Sequence, residues 1–296
     1  MDIFNTKNKT ATIMLCSACN TSCKHCYISY KGDRRYEDVK QMITTLKAQG
    51  YNIILNGTEP LIFPKFIELF KLADQNQVFT NGKVILENPD IIDTILNNGI
   101  KQISFSYHYG VQDEWSEVSL ADVEKAVKLC LNKGLEVCVL CSLCSYNYTK
   151  VQEICEKVKS LGITQIHFTN FICQGRAKQN NMQHYILTED QILIALNDIN
   201  RAREKYDIKD LRISRCGSFG NGTNSKNFLC DAGIDDFVIA PDNKVYPCLF
   251  FTGISEYQIG EYKDGKINLF KQCQYDCKDC FAKKILNQNK NINIFK

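Results

Sequence analysis

A chain of 296 residues, 44% apolar and 23% charged, can bury its own core and is long enough for one large domain or two unequal ones. A net charge of +3 is too small to argue for nucleic acid or a membrane surface as partner; Lys283, Lys284, Lys290 and Lys296 read as a solvated tail. No run of eighteen apolar residues and no basic-then-apolar amino terminus occurs, so neither a span nor a secretory signal is expected, and the cytoplasm is the expected compartment. The sixteen cysteines depart from the ordinary. Disulfide scaffolds are short, secreted and poor in core, so reduced thiols, metal ligands or both are expected, in a reducing, oxygen-poor setting.

In chain order, Ala11 to Cys16 reads as a strand and Tyr36 to Gln49 as a helix ending at Gly50. Tyr51 to Leu55 is strand-like, Pro64 to Ala73 helical, and Val78 to Thr80 a short strand stopped by Asn81-Gly82. A helix follows at Asp90 to Asn97, a strand at Gln102 to Tyr107, a helix at Ala121 to Asn132 and a strand at Glu136 to Leu143. A helix at Tyr148 to Leu161 and a strand at Gln165 to Phe171 complete six strand-then-helix units. Such alternation predicts an α/β fold, a parallel sheet with helices outside, because parallel strands need crossovers. The pattern alone does not separate barrel from open sheet. The last helix starts at Thr188, with Gln191 as its capping-box partner, and runs to about Tyr206. Beyond it Gly217 to Asn224 is rich in glycine, serine and asparagine, and five cysteines lie between Cys230 and Cys280. This sets a domain boundary near residue 208, dividing the chain into 1–208 and 209–296, with a loose tail from Asn287.

Cys19, Cys23 and Cys26 follow the first strand with C-x3-C-x2-C spacing. Three thiolates on one loop can bind three irons of a cubane and leave the fourth open to a substrate. Structural zinc usually takes four ligands in paired C-x2-C units. Cys16 could supply a fourth but reads as a buried residue ending the strand.

This loop resembles the signature of the radical S-adenosylmethionine superfamily, in which the amino and carboxylate groups of the cofactor chelate the open iron. Asn20 after the first ligand and Tyr27 after the last resemble its peptide-modifying branch, which often has tyrosine where His25 stands. The resemblance implies that His25 packs near the adenine; without it, His25 is a surface histidine. Gly57-Thr58-Glu59-Pro60 resembles the family's GGEP motif, with Thr58 for the second glycine, and implies that this turn meets the cofactor's amino group. Alone it is only a turn. Ser106 stands where relatives read S-x-D-G, implying contact with the cofactor's carboxylate or ribose, and His108 replaces the aspartate. Ser142 is a ribose candidate or merely faces the barrel. Gly175-Arg176-Ala177 resembles the GRA turn of this branch, so Arg176 would pair with a carboxylate of cofactor or substrate, or form a surface ion pair.

Near the carboxyl end, Phe237 to Ala240 and Lys244 to Tyr246 flank Pro241-Asp242-Asn243 as a hairpin. It brings Cys230 and Cys248 near its open end, where Cys277 and Cys280 would complete four ligands, with Cys273 able to replace Cys277. An auxiliary [4Fe–4S] cluster and structural zinc both suit such a set. The PDN and VYPC stretches resemble the hairpin of SPASM and twitch extensions, Asn243 replacing a glycine whose left-handed turn asparagine tolerates. Cys130, Cys138, Cys141, Cys144, Cys155 and Cys173 read as core hydrophobes. Cys216 is a candidate ligand, a candidate hydrogen-atom donor, or a loop thiol.

Together the resemblance implies a partial (β/α)6 barrel with a small cysteine-rich twitch/SPASM-like domain of β-hairpin plus helix. An electron from flavodoxin or ferredoxin would reach the first cluster, cleave S-adenosylmethionine to a 5′-deoxyadenosyl radical and so abstract hydrogen from a peptide or protein, giving oxidation, crosslinking or epimerisation. The amino terminus enters the first strand directly, so no peptide-recognition domain is expected before the barrel. A radical enzyme acting on a small molecule, such as a carbohydrate-alcohol dehydrogenase or a cofactor-biosynthesis enzyme, is the alternative. A glycyl-radical activase is disfavoured because no cysteine falls between Cys26 and Cys130. A non-catalytic electron carrier or zinc-stapled binding module is the reading from another class.

Overall fold

The computed structural model describes residues 9–216 and 232–270. Cys230, Cys273, Cys277, Cys280 and the Gly217 to Asn224 stretch lie outside them.

Six strand-then-helix units are present. The strands are β1 (Thr10–Met14), β2 (Asn52–Asn56), β3 (Gln77–Thr80), β4 (Gln102–Ser106), β5 (Glu136–Leu143) and β6 (Gln165–Asn170). The intervening helices are α1 (Tyr36–Ala48), α2 (Phe66–Phe70), α3 (Lys83–Glu87), α4 (Ile91–Asn97), α5 (Gln112–Trp115), α6 (Leu120–Asn132), α7 (Val151–Ser160), α8 (Gly175–Gln179) and α9 (Glu189–Lys205). The chain then adds β7 (Arg212–Arg215), β8 (Asp236–Ile239), β9 (Lys244–Tyr246), β10 (Gly260–Lys263) and β11 (Lys266–Leu269). The long helices form because apolar residues recur at helical spacing: α6 buries Val123, Ala126, Val127 and Cys130, and α9 buries Ile192, Ala195, Leu196, Ile199 and Ala202. The Thr188–Gln191 capping box opens α9 as expected. Helix α2 starts later than its sequence suggests because Lys65 takes a left-handed φ of 55° before it, and it ends at Phe70.

The strands form two sheets, in the orders β11-β10-β9-β8-β1-β2 and β3-β4-β5-β6-β7. All pairs from β3 to β7 are parallel, as are β1–β2 and β1–β8. The result is a partial barrel with helices outside. The region after residue 208 returns to it twice: β7 extends one sheet beside β6, and β8 extends the other beside β1. Asn243, at φ 67°, turns the β8–β9 hairpin in the left-handed conformation that its replacement of glycine requires. The six cysteines assigned to the core are all buried.

The barrel is split between β2 and β3, and side chains close the split. An unpaired strand edge leaves main-chain N–H groups needing acceptors. Those of Ile53 and Leu55 donate to Asp74 Oδ2 and Gln75 Oε1. At the other end of the seam, Glu59 is fully buried and accepts from Thr80 Oγ1 at 3.0 Å, the Asn81 N–H at 2.8 Å and the Leu61 N–H at 3.2 Å. Burial outweighs these donors and pushes the Glu59 carboxyl up to about 7.

The folded value lies above the unfolded one of 4.5, so the stabilisation that Glu59 contributes is complete below about pH 4.5 and is lost as pH rises through about 7. The loss is on the order of 3 kcal/mol. Glu59→Gln should remove this component, so its stability relative to wild type improves from about pH 5 to pH 8 in urea denaturation. A difference that stays constant across that range rules out a buried neutral carboxyl. A second expectation concerns Gly253, at φ 89°, where an added Cβ would stand 2.4 Å from Tyr30 N. Gly253→Ala should cost about 2–4 kcal/mol. Gly50→Ala, at φ 85° with nothing within 4 Å, should cost only about 1–2 kcal/mol.

Candidate functional site

The cysteine loop leaves the carboxyl end of β1. Cys16 is buried, its Sγ donates to Ala18 O at 3.7 Å, and burial pushes its thiol up to about 11, so it stays a protonated core thiol. Cys19, Cys23 and Cys26 are half-buried. The buried Thr21 hydroxyl lies 3.2 Å from Cys19 Sγ and accepts from Cys23 Sγ at 3.4 Å. Ser116 Oγ is 3.3 Å from Cys23 Sγ.

Two short helices hold this loop by its backbone. From α5, the Trp115 carbonyl accepts from the Lys24 N–H at 2.7 Å and from His25 Nδ1 at 3.2 Å. From α8, the Ala177 N–H donates to Cys26 O at 3.3 Å, and Asn180 Nδ2 just beyond it donates to Lys24 O at 3.1 Å. Gly175 explains why GRA begins with glycine: at φ 55° its Cβ would stand 2.5 Å from Ile28 O, 2.7 Å from Tyr27 C and 2.8 Å from Cys26 O.

The Gly57–Pro60 turn closes the opposite side. Three donors converge on the Cys16 carbonyl: Thr58 Oγ1 at 3.1 Å, Tyr30 Oη at 3.2 Å and the Thr58 N–H at 3.4 Å. The hydroxyl that glycine lacks therefore gives Thr58 a bond to the cysteine loop. A cavity of about 290 Å³ lies between these parts, lined by Cys19, Cys26, Tyr30, Thr58, Lys31 and Arg176 among others. It unites the loop with Thr58 and Arg176.

Other expected residues stand elsewhere. Glu59 points into the seam, both oxygens engaged, rather than into the cavity. His25 is not a free surface side chain. Its ring stacks on Trp115 at 5.2 Å and meets His108 edge-on at 4.6 Å, and burial lowers it to about 4. The Ser142 N–H donates to His108 Nδ1 at 3.2 Å, which puts the neutral ring's proton on Nε2. His108 thus ties β4's end to β5 where the family's aspartate would stand. Ser142 Oγ pairs with Thr169 Oγ1 at 3.0 Å, and Ser106 ends β4. Tyr27 packs edge-on against Phe250 at 5.1 Å. Burial raises its hydroxyl well above the usual range, with Tyr30, Cys26, Cys248 and Cys216 adding to the effect. Tyr27 is accordingly where the carboxy-terminal thiols approach the first loop. Cys248 precedes the Leu249–Phe251 turn, and the Cys216 N–H extends the β6–β7 ladder to Phe168 O at 2.8 Å. Trp115, Asn81 and Lys83, all on the loop's rim, carry no sequence signal: two sit in what reads as a turn and one in a single helical turn.

The residues fit an iron–sulfur cluster with S-adenosylmethionine. Two soft thiol donors of the loop, Cys19 and Cys26, border the cavity, and Lys31 and Arg176 offer cations to a carboxylate. Asn20 Nδ2, beside Cys19, is buried without a partner among the described residues, as a donor facing a bound group would be. The thiols do not converge on one point, and cubane ligands, each on a different iron, need only ring the cluster.

Residues 13–176 match the family described as the Radical SAM superfamily. The chain is 25% identical over 271 residues to the antilisterial bacteriocin subtilosin biosynthesis protein AlbA of Bacillus subtilis (strain 168), covering 84% of this chain. It spans 56% of that relative's length. The fold is similar to Streptococcus suis SuiB bound to its precursor peptide SuiA, with TM-score 0.63 and 14% identity over 95% of this chain and 67% of that one. It is also similar to anSMEcpe with bound AdoMet and Cp18Cys peptide, with TM-score 0.64 and 20% identity over 86% of this chain and 77% of that one. With the cysteine loop, the Gly57–Pro60 turn and the partial barrel in their places, the chain belongs to the radical SAM superfamily.

Proposed function

We propose that this chain is a peptide-modifying radical enzyme whose Cys19, Cys23 and Cys26 hold a [4Fe–4S] cluster beside S-adenosylmethionine. The observation that carries the reading is the cavity that joins Cys19 and Cys26 to Thr58 and Arg176 at the carboxyl ends of parallel strands. When bound, the cluster and cofactor supply one-electron cleavage and an adenosyl radical that abstracts hydrogen. The chain's own residues set the stage. Gly175 lets α8 press on the Cys26–Ile28 backbone, Thr58 and Tyr30 fix the Cys16 carbonyl, and Lys31 and Arg176 present cations to a carboxylate. Trp115, His25 and His108 pack into an uncharged ring cluster against the cysteine loop that keeps water from its backbone.

A peptide substrate is favoured by the relatives, since AlbA is named for bacteriocin biosynthesis and SuiB and anSMEcpe are seen with peptides. Residues 209–296 act as an auxiliary-cluster domain in this reading, with Cys230, Cys248, Cys277 and Cys280 as ligands and Cys273 in reserve. The approach of Cys248 to Tyr27 beside the first loop supports a carboxy-terminal cluster near the site. A flavodoxin or ferredoxin in a reducing cytoplasm is the electron source. No helix among the described residues is long and apolar enough to cross a membrane.

Anaerobic reconstitution should give about eight irons per chain, falling to about four when Cys19, Cys23 and Cys26 are replaced by alanine. With dithionite and S-adenosylmethionine, wild type should release 5′-deoxyadenosine and the triple variant none. Deuterium passing from a peptide encoded beside this chain into that product would establish the substrate class, and transfer only from a small molecule would refute it. Zinc alone, without cleavage, would end the enzyme reading. Gly175→Ala, by displacing the ligand-bearing backbone, should lower 5′-deoxyadenosine formation about 10²-fold while the circular dichroism stays that of wild type.

A further inference from the structure

The turn after β3 does more than stop a strand. Asn81 accepts the Lys83 N–H on Oδ1 at 2.9 Å, which fixes its Nδ2 as the end facing the cysteine loop. One amide hydrogen goes to Asn20 Oδ1 at 2.8 Å. The other faces Thr21 Oγ1 at 3.4 Å and Cys19 Sγ at 3.7 Å. Lys83 reaches over the same loop, its Nζ donating to Asn20 O at 2.9 Å. That partner is a neutral carbonyl, so the bond does not cancel the lysine's charge.

The backbone holds both side chains in place. The Asn81 N–H is anchored on the buried Glu59 carboxyl at 2.8 Å. Gly82, at φ 89°, lies so close to the Phe105 ring that an added Cβ would stand 3.2 Å away. The directions of the Asn81 amide and the Lys83 stem therefore belong to the fold and need no ligand to set them.

We propose that Asn81 and Lys83 are positioning residues that make the cluster on Cys19, Cys23 and Cys26 easier to reduce. The proposal rests on the cluster reading given above. A thiol is a weak acceptor, but a metal-bound thiolate is charged, so the Asn81 N–H gains strength when the site is loaded. Reduction adds one negative charge to the cluster. A donor aimed at a ligand sulfur and a nearby cation both favour the more negative state, which raises the potential. Removing either should lower it.

The test uses the full chain, reconstituted anaerobically, with iron content and an electron-paramagnetic-resonance redox titration of the signal that shifts on adding S-adenosylmethionine. Asn81→Asp keeps the side chain's shape and the acceptor for the Lys83 N–H, loses the donor and adds a negative charge that acts in the same direction, whereas Lys83→Met adds none. Lys83→Met keeps the stem and loses the charge, and Lys83→Arg restores it. Asn81→Asp and Lys83→Met should each retain iron and shift the reduction equilibrium toward the oxidised cluster by up to about tenfold, or 59 mV for one electron. Lys83→Arg should titrate with wild type. If Asn81→Asp fails to load, Lys83→Met at its half-exposed position carries the test. Wild-type midpoints in the variants, whether iron content is full or reduced, would mean mere loop support and overturn the proposal. A wild-type chain that takes up no iron–sulfur cluster would instead overturn the cluster reading, and this inference with it.

Discussion

The site depends on a backbone clamp around the third cysteine of the loop. Helix α8 brings Gly175 against the Cys26–Ile28 backbone, and Gly253 presses on the adjoining Ser29 and Tyr30 backbone. Both contacts are closer than any Cβ permits, and both glycines have positive φ. The five residues from Cys26 to Tyr30 are thus held between the last barrel crossover and the carboxy-terminal hairpin region. Side-chain packing could not do this as firmly, because rotamers yield where two main chains in contact do not. The carboxy-terminal region is consequently part of what shapes the first cysteine loop, in addition to any ligands of its own.

The Cys16 carbonyl is the complementary fixed point. It is where β1 ends, and it receives donors from Thr58 and from Tyr30, which itself lies inside the clamp. Strand, turn and loop therefore meet at one oxygen. This accounts for the tolerance of threonine in the turn: its extra hydroxyl is used, and its bulk faces the cavity rim. It also accounts for Cys16 remaining a core thiol, since its backbone, and not its sulfur, serves the site.

Much of this was legible in the residues. Helices α6, α7 and α9 announced themselves through apolar spacing and, for α9, through its capping box, because burying one face demands that pattern. The three cysteines and the Gly57–Pro60 turn were legible because metal and backbone chemistry restrict spacing and residue type. One-turn helices such as α5 and α8 have no period to detect, so Trp115 and its hold on Lys24 and His25 were hidden. His25 illustrates a different failure. Its sequence position suggested either a ligand face or solvent, whereas a tertiary partner distant in sequence took up the ring. For Glu59 the motif fixes which residue is present but not which way a buried carboxyl turns, and both its oxygens are engaged in the seam. β7, β10 and β11 are too short, and in part too exposed, to show alternation.

The split between β2 and β3 connects these points. A continuous ladder there would satisfy the edge N–H groups with main chain and leave no side-chain network between the Gly57–Pro60 turn and the β3 turn. With the ladder absent, Asp74 and Gln75 close one end of the seam and Glu59 the other, and Glu59 holds Thr80 and Asn81 in place. Asn81 and Lys83 then extend the same polar chain onto Asn20 and Cys19. Such a network carries a carboxyl that burial keeps near neutrality, a cost that a ladder would not incur. What the fold gains is a row of fixed donors directed from the barrel seam at the cysteine loop. A main-chain ladder spends its N–H groups within the sheet and could not supply that row.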